Sequence, residues 1–155
     1  DGIPKSENSN REEELIAMEI FRQGFLDNVG QVIDYQTPLK NRRSDKAGKI
    51  DLLSYDGLNV RILELKEPDS DETMLRCVLE GYTYMKTVDG KRLIKDFGLS
   101  EDAKLLACPL VFKGGIQWQE MQEERPNLKR LMKLLNCTPL YLEKCDNKYI
   151  ATEEY

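Results

Sequence analysis

The sequence predicts an α/β domain, a mixed central sheet flanked by helices. Three observations predict it. Two neighbouring β-rich runs carry apolar residues on both faces, as strands do when both sides of the sheet are covered. Stretches with helical spacing of apolar residues stand before and after those runs. The chain has 155 residues, 40% of them hydrophobic and 33% charged, enough for one domain with its own core.

Residues 12–23 read as a helix, with Asn10 as N-cap and Gly24 as terminator. Ile16 and Ile20 form its inner stripe, and Glu13 lies one turn earlier on nearly the same side. Residues 1–10, polar and holding Gly2 and Pro4, read as a flexible lead-in to a single domain over 11–155. Residues 31–37 alternate like a strand. Strands over 50–53 and 59–66 follow, separated by Tyr55-Asp56-Gly57, a strong hairpin signal. Residues 71–87 predict a second helix capped by Ser70, with Met74, Val78, Gly81, Tyr82 and Met85 packed inward. Residues 104–112 form a strand closed by Gly114-Gly115. Residues 126–135 form a helix with Pro126 in its first turn and Leu128, Leu131 and Leu135 inside. A terminal hairpin over 138–142 and 148–152 turns at Asp146-Asn147.

The central hairpin carries the chemistry. With Asp56-Gly57 as a two-residue loop, Asp51 faces Ile62, and Glu64 is its diagonal neighbour about 7–8 Å away. Side chains alternate along a strand, so Asp51, Glu64 and Lys66 share a face with Leu53, Val60 and Ile62. Ile50, Leu52, Leu63 and Leu65 take the other face. A slip of one residue would separate Asp51 from the other two. Charges inside a doubly covered sheet are costly unless paired or bound to metal. Glu-x-Lys alone reads as a solvated strand end. Asp51 in register makes it a candidate site for Mg²⁺ beside a water and a phosphodiester.

Composition narrows the chemistry. The chain has no histidine, which removes Ser-His-Asp and Cys-His catalysis, histidine-metal nucleases and the usual zinc hydrolases. Its 4 cysteines show no Cys-x-x-Cys spacing; Cys77, Cys108 and Cys137 sit among apolar neighbours and read as reduced core residues in a cytoplasmic protein. Net charge is −5, which argues against nucleic-acid binding by the global field. Local clusters differ. Lys40, Arg42, Arg43, Lys46 and Lys49 precede the Asp51 strand and are placed to grip phosphates. Lys91, Arg92 and Lys95, and Lys129, Arg130 and Lys133, form two others. Any one of the three reads equally as a solubilising face. No apolar run is long enough for a membrane span, and no secretory pattern stands out. The chain does not begin with Met, as expected of a piece of a longer or processed protein. Trp118 reads as a core plug, with base stacking as the rival role.

Asp51, followed on the next strand by Glu64-Leu65-Lys66, resembles the PD-(D/E)XK nuclease superfamily, which includes Holliday-junction resolvases, RecB-type nucleases and many restriction endonucleases. The resemblance runs from about Glu13 to Met85 and is strongest from Gly48 to Lys66; Ile50 stands in place of the name-giving proline. It implies an α-β-β-β-α-β restriction-endonuclease-like core and metal-dependent hydrolysis of nucleic acid, with DNA as the expected partner. Mg²⁺ or Mn²⁺ would be held by Asp51, Glu64 and the Leu65 carbonyl. Lys66 would orient the attacking water and offset phosphate charge. Glu13 would be the fourth catalytic residue, on a helix ending in Gly24-Phe25 as in resolvase-like members. The dipole alone also accounts for acids at Glu12, Glu13 and Glu14, and Glu19 is a rival on the same helix. Glu80 and Tyr84 match the spacing of a substrate-contacting Gln-x-x-x-Tyr pattern, with glutamate replacing glutamine; a plain helix-surface pair is the other reading. Cutting both strands of a duplex takes two active sites, so a homodimer is expected in that case. Two other functions compete: a non-catalytic nucleic-acid- or protein-binding module on the same fold, and a structural domain of a larger protein.

Overall fold

A computed structural model describes residues 5–39 and 48–153. Its elements, in order, are α1 (Lys5–Gln23), β1 (Phe25–Leu26), β2 (Gly30–Pro38), β3 (Lys49–Tyr55), β4 (Asn59–Leu65), α2 (Met74–Thr87), α3 (Gly90–Asp96), β5 (Lys104–Phe112), α4 (Ile116–Gln122), α5 (Pro126–Leu134), β6 (Leu140–Cys145) and β7 (Lys148–Thr152). The strands form one mixed sheet in chain order. β1 to β4 are an antiparallel meander, β4–β5 and β5–β6 are parallel, and β7 returns antiparallel to β6. Both parallel steps are bridged by helices, as such crossovers require. The sheet curls until β1 and β7 meet. Asn28 Nδ2 donates to the Ala151 carbonyl at 2.7 Å, and Gln23 Nε2 donates to the Tyr149 carbonyl at 2.9 Å.

Both faces of the sheet are covered, as the apolar pattern predicts. On one face α1 brings Ile16, Ala17 and Ile20 against Leu52, Leu63, Leu65 and Leu110. On the other, α2 packs Met74, Cys77 and Val78 against Ala107, Val111 and Tyr141, with Met121 of α4 and Met132 of α5. A third cluster joins Leu93 of α3 to Leu53, Val60 and Ile62. Ile50 belongs to this cluster rather than beside Leu52. Trp118 packs against the second cluster, which is the core-plug role.

The β3–β4 register differs from the expected one. Tyr55 pairs with Val60, Leu53 with Ile62 and Leu52 with Leu63, so residues 56–58 connect the strands instead of Asp56-Gly57 alone. The Asp56 carboxylate sets this longer turn: it accepts from Leu58 N at 2.9 Å, Asn59 N at 2.7 Å and Arg61 NH1 at 2.6 Å. The pairing is displaced by two residues, which leaves Leu52, Leu53, Ile62 and Leu63 on their expected faces, while Ile50 changes cluster. The pairing ends at Leu52–Leu63; beyond it the Asp51 side chain accepts from the backbone N–H of Leu65.

Other boundaries move for local reasons. α1 begins at Lys5, so residues 5–10 belong to the helix and Asn10 is not its cap. α2 begins at Met74, because Thr73 Oγ1 accepts from Arg76 N at 3.2 Å; Ser70 Oγ instead accepts from Glu72 N at 3.3 Å within the preceding loop. α3 and α4, of 7 residues each, are too short to show a period in the sequence. Lys91, Arg92 and Lys95 lie exposed on α3, and Lys129, Arg130 and Lys133 lie exposed on α5. Met132, rather than a leucine, is the buried residue of α5. Asp146 and Asn147 have φ of 50° and 64°, as a tight turn with two left-handed residues requires.

Two glycines separate conformational need from space. Gly30 has φ +88°, and a Cβ there would lie 2.5 Å from the Tyr55 carbonyl oxygen, whereas Gly57, at φ +97°, has nothing within 4 Å. Gly30→Ala should therefore lose roughly 3 kcal/mol and Gly57→Ala about 1 kcal/mol. Urea melts of both variants test this; equal losses would mean that β2 and β3 do not approach so closely at this corner.

Candidate active site

The site lies where the start of β3 meets the end of β4. Glu64 and Lys66 are each 4% exposed. Asp51 is half-buried, and its Oδ2 accepts from Leu65 N at 2.9 Å. That bond ties the β3 acid to the backbone between the other two residues. Lys66 stands one residue past β4, and its N–H donates to the Leu110 carbonyl at 3.1 Å, so it is still docked on β5. Its Nζ lies 3.3 Å from Glu64 Oε1, 3.4 Å from Glu80 Oε2 and 2.7 Å from Glu72 Oε2. Tyr84 OH donates to Glu80 Oε1 at 3.2 Å, and Glu13 Oε1 accepts from Glu67 N at 3.3 Å. α2 passes directly over the site: a Cβ on Gly81 would make ordinary contact, 3.4 Å, with Glu64 Cβ.

These side chains enclose a polar cavity of about 330 Å³. It brings together the sequence-predicted Asp51, Glu64, Lys66, Glu13, Glu80, Tyr84 and Lys49. Glu80 and Tyr84 are thus cavity wall rather than a plain helix-surface pair. Glu19 is not part of the cavity: it accepts from Tyr149 OH at 2.5 Å and lies 3.5 Å from Lys144 Nζ. Arg42, Arg43 and Lys46, with Lys40, fall outside the described residues. A larger cavity of about 460 Å³, lined by Met121, Met132 and Cys137 among others, contains no acid–base pair.

Four residues without a predicted site role also line the cavity, Asn10 and Glu14 of α1, Glu72 and Gln36. Glu72 was absorbed into an expected helix start; it belongs to the loop before α2, and the only hint was its place in an acidic run. Gln36 lines the cavity from β2, between the pairs Tyr35–Leu52 and Thr37–Ile50, and so stands across from Asp51. Its φ is +51°, the left-handed region that a non-glycine residue seldom takes. No pattern in the sequence marks it.

The cavity is overloaded with negative charge. Glu13, Asp51, Glu64, Glu72 and Glu80 surround the Lys66 ammonium. Burial pushes the Asp51 carboxyl up to about 7, although the Leu65 N–H and Lys66 pull the other way. Burial, then the nearby Asp51 charge, holds Glu64 well above the usual carboxylate range. Burial also lifts Glu13 to about 7, with Lys66 opposing and Asp51 adding. For Lys66, burial favours the neutral amine, but Glu64, Glu72 and Glu80 outweigh it and hold the pKa above its ordinary value. Lys66 is therefore an ammonium and cannot act as a free base.

A hard divalent cation fits this donor set. Among the described residues no three histidine, cysteine or acidic side chains converge as a preformed cage. Mg²⁺ does not need one, since it keeps several waters and takes one or two carboxylates. Asp51 and Glu64 supply hard oxygens, and burial, the main cause of their raised pKa values, disfavours bare carboxylates in a way that a bound cation would offset. The Leu65 carbonyl is a third donor candidate, because a strand residue points its N–H and C=O to the same side and the Leu65 N–H already faces Asp51.

The sign of the pH effect follows. Asp51 has an ordinary pKa of 3.8 and a folded value of about 7, so its stabilising contribution is present below about pH 4 and lost as pH rises through 7. Glu13, from 4.5 to about 7, acts in the same direction. The metal-free protein should thus melt lower at pH 8 than at pH 5.5, and Asp51→Asn should recover roughly 1–3 kcal/mol at pH 8. Mn²⁺ should raise the melting temperature of the wild type more at pH 8 than at pH 5.5. Calorimetry at both pH values with and without the metal checks this; a metal effect independent of pH would disconnect these carboxyls from the ion.

No protein-family model matches the chain, and neither does any curated protein or solved structure.

Proposed function

We propose that this protein is a Mg²⁺- or Mn²⁺-dependent nuclease that hydrolyses phosphodiester bonds in nucleic acid, with DNA as the expected substrate. One observation carries the reading: Asp51 from β3 and Glu64 and Lys66 from the end of β4 line one acid-rich cavity, with Asp51 Oδ2 hydrogen-bonded to the Leu65 N–H between the other two. The element order is compatible with this reading: α1, β2–β4, α2 and β5 parallel to β4 match an α-β-β-β-α-β order once β1 and α3 are set aside, but the seven-stranded sheet curls toward a barrel and is not distinctively a restriction-endonuclease-like core. The three buried free thiols are compatible with a reducing, cytoplasmic setting. Among the described residues, no helix is long and apolar enough to cross a membrane.

In this reading Asp51, Glu64 and the Leu65 carbonyl would hold the cation, which would supply Lewis acidity and a more acidic water. The Leu65 N–H fixes one Asp51 oxygen and leaves the other for the ion. Lys66, held protonated, brings positive charge to the phosphate and orients the attacking water. Glu13, with a pKa of about 7, is matched to accepting that water's proton. Glu80, Tyr84 and Lys49 border the space left for the substrate. A second copy would supply the other active site where both strands of a duplex are cut.

The test uses plasmid and single-stranded DNA with Mg²⁺ or Mn²⁺. Asp51→Asn and Glu64→Gln should each lower cleavage at least about 100-fold, and Lys66→Ala should do so while titration calorimetry still shows metal binding. Glu13→Gln should lose less, about tenfold, and flatten the acid limb of the pH profile. Wild-type activity surviving in Asp51→Asn would end the proposal. Binding without cleavage, weakening steeply with salt, would select the non-catalytic module.

A further inference from the structure

We infer that Glu72 is a positioning residue for Lys66, and that α4 sets Glu72 in place through Gln117; this rests on the nuclease reading for its consequence, though not for its geometry. Of the three carboxylates around Lys66 Nζ, Glu72 is nearest, in an ion pair of 2.7 Å whose Oε2 makes no aligned hydrogen bond, whereas Glu64 and Glu80 accept hydrogen bonds of 3.3 and 3.4 Å. Glu64 cannot hold both a cation and the ammonium equally well. Once it turns to the ion, Lys66 depends on the other two. A lysine side chain has about 2 kcal/mol of rotamer entropy to lose before its ammonium stays in one place. Glu72 is the group placed to restrict it.

Glu72 has no helix or strand to fix it, because the loop before α2 carries it. Tertiary bonds do so instead. Gln117 Nε2 donates to the Glu72 carbonyl at 2.7 Å, and Glu120 Oε2 accepts from Met74 N at 3.1 Å. Gln117 is only 1% exposed. An amide buried that deeply is costly unless its hydrogen bonds are made, and a leucine would fill the space without that demand. The start of α4 is pressed against the same loop: a Cβ on Gly115 would lie 3.2 Å from the Phe112 carbonyl oxygen and 3.5 Å from that of Pro68. The chain thus runs from β5 through the Gly114-Gly115 turn to α4, from α4 to the loop, and from the loop to the ammonium.

The test has two arms. In the first, lysine ¹³Cε relaxation reports the order of the Lys66 side chain. The wild type should show a rigid Lys66; Glu72→Gln should loosen it measurably, though short of an exposed lysine because Glu64 and Glu80 remain, and Gln117→Leu should loosen it less. Glu72→Asp keeps the charge and loses the reach, so positioning predicts that it resembles Glu72→Gln. In the second arm, at saturating metal, Glu72→Gln should lower kcat about tenfold with KM and the metal midpoint within about twofold. A rigid Lys66 in Glu72→Gln overturns the inference, as does a Glu72→Asp variant indistinguishable from wild type in both arms. A wild type that cleaves nothing overturns the nuclease reading instead, and the relaxation arm still decides the positioning role.

Discussion

The site depends on the parity of the β3–β4 pairing. Asp51 comes from one strand and Glu64 and Lys66 from the end of the next, so only an even displacement keeps all three on one face. The apolar residues enforce parity weakly, because both faces carry them: Leu52, Leu63 and Leu65 face α1, and Leu53 and Ile62 face the other way. The polar trio supplies the rest. An odd slip would drive Glu64 and Lys66 into the cluster under α1, where no partner waits for either charge, and a buried unpaired charge costs far more than a misplaced leucine. Residues that look like a burden on the core therefore help to specify the sheet that holds them.

The same residues make the site a region where stability and chemistry oppose each other. Among the described residues, six carboxylates line the cavity with only Lys49 and Lys66 against them, and burial raises three of the acids, Glu13, Asp51 and Glu64, above the ordinary range. A fold selected for stability alone would exchange several of them for amides or leucines. The strain is confined to one end of the strand pair, together with the left-handed Gln36, while three apolar clusters on the two faces of the sheet hold the domain. Such local departures from good packing are where functional sites are expected.

Much of this was legible in the sequence. β5 over Lys104–Phe112, β7 over Lys148–Thr152 and the turn at Asp146-Asn147 were readable because local preference and tertiary role agree there. The union of Asp51, Glu64 and Lys66 was also readable, since alternation depends on parity and not on loop length. The loop length itself was not, because the bonds from Asp56 to Leu58, Asn59 and Arg61 favour a longer turn than Asp-Gly alone indicates. α3 and α4 were too short for periodicity to register. Glu72 and Gln36 were invisible for another reason. Neither is placed by a repeating pattern: a loop braced from α4 carries one, and an irregular backbone angle turns the other.

The difference between carboxylate and lysine explains why a motif can name the site without describing it. Asp51 and Glu64 are short side chains on paired strands, so the register nearly determines where their oxygens lie. Lys66 ends four methylenes from its backbone, and the strand leaves its ammonium a wide arc. What narrows the arc comes from residues far along the chain: Glu80 on α2 and Glu72 on the loop that Gln117 holds. If Lys66 serves as a fixed positive charge for a phosphate, precision in the proposed reaction is set by α2 and α4 as much as by the two strands, because preorganised charge stabilises a transition state only where it cannot move away.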